Sequence, residues 1–457
     1  MISKQTQKLI STIFAVLAMV LGSLFLVALA QGYRYDFLTG QIRESGLVII
    51  DSQPNNADIY INGKRSRNVT PYRLTGAPLG NMNVELIRPE FRVWKKSLTV
   101  EAREVSFANY AILLPQKLSY QTALPEFNFS QVTQSNNQRT TYALTTKPEV
   151  AVWKLSGTDT PQKIYAPTLG SGPVTLANLR VNEDGSRLLV DQQSAAGVQT
   201  LAILNGDTVL NLTTNLQVNG GSLSFHPENR DILYWISPDK LLRKIDVARQ
   251  TVSAVVAQNV LAIAPDGNDL YAVAAPDASS TKNTLRFIAG NGQKTTLKTT
   301  LPQSNSYVLQ TEQDRSGLYL ALLSTDTKEL YIIRDLKSEK PLSGVLSKTA
   351  TSFTISRNGE RILYNADNKL KTYDIDQAER FDFGVSLANL QGWSWYDDNH
   401  IIIAANKQLR LIDYDGQNDQ IISDRSDSAE GMYFKPSAKE IFYTTSGTLK
   451  QVKLTQD

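Results

Sequence analysis

Apolar and polar positions divide the chain into three regimes, of which the first is one uninterrupted apolar stretch. Residues 9–30 carry no charge over 22 positions, which is about 33 Å of helix, enough to cross a hydrocarbon core of roughly 30 Å. Lys4 and Lys8 precede it without an acid, whereas Arg34 and Asp36 follow. The positive-inside rule then places residues 1–8 in the cytoplasm and the bulk of the chain outside, with Tyr33, Tyr35 and Phe37 as an outer aromatic belt. A cleavable signal peptide is the competing reading, because Ala28-Leu29-Ala30 has the small-x-small form. An uncleaved anchor is preferred, since the stretch exceeds the usual 7–15-residue signal core. Both readings export the remainder. In the second regime, residues 46–115, short β-rich runs are predicted at 47–50, 58–61, 83–87, 93–100 and 105–114, behind a juxtamembrane segment 31–45.

The third regime, residues 116–457, repeats. An apolar strand, a Pro/Asp/Asn/Gly turn, a second strand rich in Leu, Ile and Tyr, a short turn and a third strand recur. The equivalent turn residues Gly185, Asn229, Gly267, Gly317, Gly359, Asp398 and Ala438 lie 44, 38, 50, 42, 39 and 40 apart. A β period of this length is that of propeller blades. A weaker copy begins at Phe127, so the ring has seven or eight blades. The last copy stops at its third strand near Leu454, and residues 116–123 are the candidate fourth strand that closes the ring and hides its edges. The predicted fold is therefore all-β apart from one N-terminal transmembrane helix: a small β-sandwich followed by a seven- or eight-bladed β-propeller.

Turn chemistry sharpens the second regime. Asn62-Gly63 is the pair that a type I′ hairpin requires, and Pro54, Pro71 and Pro78 sit in connections. The order of an apolar strand, Ser52-Gln53-Pro54-Asn55-Asn56-Ala57, a strand ending in Asn62-Gly63-Lys64, then Thr70-Pro71-Tyr72-Arg73-Leu74 resembles the PEGA domain. Asn55 and Asn56 depart from the namesake tetrapeptide. The resemblance implies a non-enzymatic β-sandwich near the cell envelope and transfers no catalytic residue. Pro265-Asp266-Gly267, with looser versions at Glu183-Asp184-Gly185 and Arg357-Asn358-Gly359, resembles the strand–turn signature of WD40-like and TolB-type propeller repeats.

Composition narrows the chemistry. The absence of cysteine excludes disulfides, thiolate metal sites and a cysteine nucleophile. The two histidines, His226 and His400, fall about four blades apart, on opposite sides of a ring. No G-x-S-x-G, Walker loop or G-x-G-x-x-G is present. Asp413 to Asp419 has the alternating oxygen ligands of a calcium loop but lacks its bidentate Glu, so no metal and no cofactor is expected. The net charge of +3 gives no sign of nucleic-acid binding. Lys64, Arg65 and Arg67 are candidates for contacting anionic headgroups or wall polymers, against a reading as charges guarding a sheet edge. Trp393, Trp395 and Tyr396 are candidates for stacking on sugars, against a reading as core. These observations predict a non-catalytic, membrane-anchored extracytoplasmic binding or scaffolding protein, whose partner is an envelope polymer or another envelope protein. The alternative is a propeller enzyme of glycoside hydrolase or lyase type acting on envelope polysaccharide, since two converging carboxylates suffice for glycoside hydrolysis.

Overall fold

A computed structural model of the chain describes residues 4–30, 32–36, 40–156, 159–168, 172–204, 208–277, 281–290, 295–384, 390–423 and 432–455. The apolar stretch is one helix, Lys4–Ala30, and none of its Ser11–Ala28 portion is buried. The chain divides into two compact units, one of Met1–Leu118 with Thr455–Asp457 and one spanning Ser119–Leu454.

In the first unit, Tyr33–Asp36 and Gln41–Glu44 form a hairpin inside the expected juxtamembrane segment. Arg103 ties this hairpin to the β-sandwich, donating to the Tyr33 hydroxyl at 2.6 Å and to Glu44 at 2.8 Å. Tyr33 lies under that guanidinium while Tyr35 is exposed; Phe37 lies outside the described residues. The sandwich itself is two stacked sheets. One has the order Tyr72–Ala77, Gly46–Gln53, Val105–Ile112, and the other the order Lys64–Val69, Asp58–Ile61, Gly80–Ile87, Trp94–Val100. Val48, Ile50, Ile59, Val84, Leu86 and Trp94 fill the space between them. The strands Lys64–Val69 and Tyr72–Ala77 were not among the predicted runs, because their residues are mostly polar and alternate too weakly to register. Asn62 and Gly63 both take positive φ, 49° and 76°, and Ile61 faces Lys64 across the two-residue turn.

The second unit is a ring of eight four-stranded antiparallel sheets among the described residues. Blades 1 to 7 occupy residues 128–165, 175–211, 222–252, 260–301, 307–347, 350–382 and 390–423. Blade 8 takes Tyr433–Lys435, Glu440–Thr445 and Thr448–Lys453 from the C-terminal end, and its fourth strand is Ser119–Thr122 from the other end of the unit. The core lies between blades: Tyr319, Leu323 and Ile332 of blade 5 pack on Ile355, Ile362 and Tyr364 of blade 6, and the other described layers repeat the scheme. Second strands are covered on both faces, so they read as unbroken apolar runs, as in Ile401-Ile402-Ile403-Ala404-Ala405. First strands line the hub. There two glutamines of blade 1 act as stand-in peptide groups. Gln131 bonds both the N–H and the C=O of Leu179 in blade 2, and Gln134 bonds both those of Phe434 in blade 8.

Candidate functional site

In several blades the first strand ends in a tight turn that leaves backbone N–H groups to satisfy, and a side chain at the strand end takes them. Asn182 does so in blade 2, Asp314 in blade 5, Ser356 in blade 6 and Asp397 in blade 7. In blade 3 the residue is His226, whose Nδ1 accepts from the N–H groups of Glu228 and Asn229 at 3.1 and 3.0 Å. The proton must therefore sit on Nε2, which faces Asn268 Oδ1 at 3.3 Å. Burial, and the nearby Lys244 cation, push the His226 pKa down against the Asn268 hydrogen bond.

His400 opens the second strand of blade 7, where Arg361 opens that of blade 6. Each stands opposite a carboxylate that ends the third strand, Asp413 and Asp374 respectively. His400 Nδ1 lies 2.8 and 2.9 Å from the two Asp397 oxygens, and Nε2 lies 3.5 Å from Asp413. Burial opposes charging His400, but Asp397 and then Asp413 outweigh it and its pKa is raised. Both histidines are thus engaged in turns, on blades 3 and 7.

Where the turns of blades 1 to 5 converge, they enclose a depression of about 680 Å³. Four carboxylates line it, Glu183, Glu228, Asp266 and Glu312, with Gln310 and Thr311, and among the described residues no lysine or arginine does. Thr311 is held by its bond to Pro265 O at 2.5 Å, which joins blades 4 and 5. Glu312 is half-buried and accepts from Gln310 at 3.2 Å. Burial drives its pKa up, the Gln310 bond opposes this, and the Glu183 charge from blade 2 adds to the rise. Glu312 and Glu183 therefore feel one another across the depression. The spacing of the repeats was visible in the sequence, but which turns share one opening was not.

The residues singled out from sequence are distributed differently. Lys64, Arg65 and Arg67 lie exposed on Lys64–Val69, the edge strand of its sheet, with Arg65 paired to Asp58 at 2.8 Å. Side chains alternate along a strand, so Lys64 points to the opposite face from Arg65 and Arg67 and the three do not converge. The expected aromatic platform requires correction. Trp395 is buried in the layer between blades 6 and 7, and Tyr396 is buried edge-on against Phe434 of blade 8. Successive residues point to opposite faces of the blade, and each face of blade 7 packs on a neighbouring blade, which removes both from the surface. Trp393 is half-buried against the same layer. The calcium-like loop spends its carboxylates internally: Asp419 takes a two-bond contact from Arg410, Asp413 accepts from Asn418 and Asp415 from Gln417.

The PEGA domain model matches residues 45–113. The motif residues have local work there: the Thr70 hydroxyl bonds the Ser52 hydroxyl at 2.7 Å and receives the Ala57 N–H at 3.0 Å, and Ala57 and Thr70 are wholly buried. No curated protein matches the chain. Among solved structures, the C-terminal WD40 domain of Sif2 is similar at 11% identity over 74% of this chain and 99% of that one, with a TM-score of 0.49. An oligogalacturonate lyase in complex with manganese is similar at 14% identity over 74% and 98%, with a TM-score of 0.44. The Cps50 (Swd1) propeller domain from Myceliophteria thermophila is similar at 11% over 74% and 100%, with a TM-score of 0.44. Activity passes from none of these to the present chain, whose blade count rests on its own strand pairing. Residues 45–113 are a PEGA domain, carried in one chain with an N-terminal apolar helix and a β-propeller.

Proposed function

We propose that the protein is a membrane-anchored, extracytoplasmic binding or scaffolding protein of the cell envelope, and that the depression at the converging turns of blades 1 to 5 receives its partner. One observation carries this reading: the turn residues with catalytic potential, His226, His400 and Asp397, are engaged with backbone N–H groups or with each other. What remains facing the depression is a set of carboxylates and amides with no lysine or arginine among the described residues. Such a surface favours an envelope polymer or protein segment bearing ammonium groups or other hydrogen-bond donors.

The test places a photo-crosslinking residue at Glu183 or at Gln310 in the full chain, on intact cells, with Lys163 on the outer strand of blade 1 as control. A discrete adduct from the depression and none from Lys163 supports the reading. Identical adducts from all three positions would overturn it. The Glu312–Glu183 pair favours a second reading, in which Glu312 is the proton donor of a hydrolase or lyase acting on envelope polysaccharide. Release of new reducing ends by the wild type, lost in Glu312→Gln and in Glu183→Gln, would replace the first reading with the second.

A further inference from the structure

At the other end of the hub strands from this depression, blades 2 and 3 leave between them a cleft of about 670 Å³. Its floor is Arg180. Arg180 Nη1 donates to Leu223 O at 2.9 Å, and Nε is buried without a hydrogen-bond partner. Among the described residues no carboxylate lies within ion-pair distance of this guanidinium. The nearest carboxylate in the cleft, Asp191, is instead held by Asn178 at 2.9 Å and by the Thr200 hydroxyl at 2.9 Å. Burial disfavours this cation and the Asp191 charge, which reaches it without touching it, offsets the cost only in part, so a ligand carboxylate would complete the pairing.

The surrounding backbone is shaped for the same purpose. Pairing of the first two strands of blade 2 slips between Ala177 and Arg180, and Asn178 takes a left-handed φ of 51°. A bulge of this kind re-aims the side chains beyond it. The facing wall is Asn219-Gly220-Gly221-Ser222, where Gly221 has φ of 78° and a Cβ would meet Ile236 O at 2.1 Å. Only glycine fits there. The rim offers the hydroxyls of Ser222 and Thr213, and Asp191 has lone pairs beyond the two it uses.

We propose that this cleft binds a small carboxylate-bearing, hydroxyl-rich molecule, a sugar acid, whose carboxylate meets Arg180 and whose hydroxyls meet Asp191 and the Thr213 and Ser222 hydroxyls. The volume suits one or two sugar rings. This site shares no residue with the depression at the converging turns and stands or falls independently of it. As a surface near polymers, it would read acidic sugars, whether free or at the end of a chain.

The experiment titrates the full chain in detergent micelles with glucuronate, glucose and acetate, followed by saturation-transfer NMR. Glucuronate is expected to give saturable transfer, with glucose and acetate weaker by at least about tenfold. Arg180→Gln is expected to lose the glucuronate signal. Because that change also removes the strut to Leu223, Val198→Trp serves as the second variant: Val198 is exposed on the cleft, and the indole fills it while leaving Arg180 in place. Loss of binding in Val198→Trp at unchanged melting temperature supports the site. Equal binding of acetate and glucuronate, absence of saturable transfer, or wild-type binding by either Arg180→Gln or Val198→Trp overturns it.

Discussion

In blade 3 His226 must stay neutral, because its Nδ1 holds two backbone N–H groups. In blade 7 His400 favours the charged form, because Asp397 and Asp413 face it. The two residues therefore give stability opposite pH dependences. The His226 pKa lies below its ordinary value of about 6.5, so below that pH the unfolded chain binds the proton more readily and stability falls on acidification. The His400 pKa is raised, so its contribution is complete below about pH 6.5 and is lost as pH rises through the folded value. Asp397 agrees from the other side: its carboxyl is lowered despite burial, because His400 and two N–H groups favour the anion. Melting temperature against pH should peak between these limbs. His226→Asn, which supplies the cap that Asn182 provides in blade 2, should flatten the acid limb near pH 6. His400→Gln should flatten the alkaline limb and cost on the order of 3 kcal/mol at pH 6, since it leaves two carboxylates without their cation. Unchanged limbs in both variants would refute these assignments.

At the scale of the element, ring closure depends on one short strand. Ser119–Thr122 pairs with Thr448–Lys453, placing Gln121 directly opposite Gln451 with their amides in contact, and the Tyr120 hydroxyl donates to Ile422 O in blade 7. Because the chain contains no cysteine, Gln121→Cys with Gln451→Cys offers an unambiguous disulfide across this seam. Constraining a loop of that length should stabilise the protein by roughly 3–5 kcal/mol, and reduction should reverse the gain. Absence of the crosslink under oxidising conditions would contradict the pairing. The junction between blades 1 and 8 is measured by Gln134→Leu, which leaves the Phe434 N–H and C=O without their partner and should cost about 2 kcal/mol. Much of this was legible beforehand. A third strand ending near Leu454 implied a missing fourth, and turn residues recurring every 38 to 50 positions implied the blades. The glutamine bridges were not legible, because Gln131 and Gln134 look like any polar residues of a strand until their neighbours across the hub are known. Arg180 was hidden for a related reason: its significance lies in the carboxylate it lacks, which depends on where Asp191 points. Trp395 and Tyr396 misled because an aromatic cluster reads the same from sequence whether it faces solvent or the next blade.

Across the whole molecule, charge is distributed by region. Lys4 and Lys8 precede the apolar stretch, residues 31–115 hold 11 Lys+Arg against 8 Asp+Glu, and the remainder holds 34 against 36. A helix with an unburied apolar surface needs lipid around it, and two lysines on one flank bias which side that flank occupies. An anchor and a cleaved signal make different demands on the mature chain, and the difference is measurable. If the helix is an anchor, the protein isolated from membranes should retain residues 1–8 by intact mass and resist alkaline extraction. Protease added outside intact cells should digest the propeller while sparing an epitope fused before Lys4. Replacing Lys4 and Lys8 with glutamate should weaken that asymmetry, because the orienting bias rests on these cations. A mature chain beginning just after Ala30 and released by alkaline treatment would instead establish a signal sequence. The Arg180 cleft and the Glu312 depression would then act on a free rather than a tethered protein.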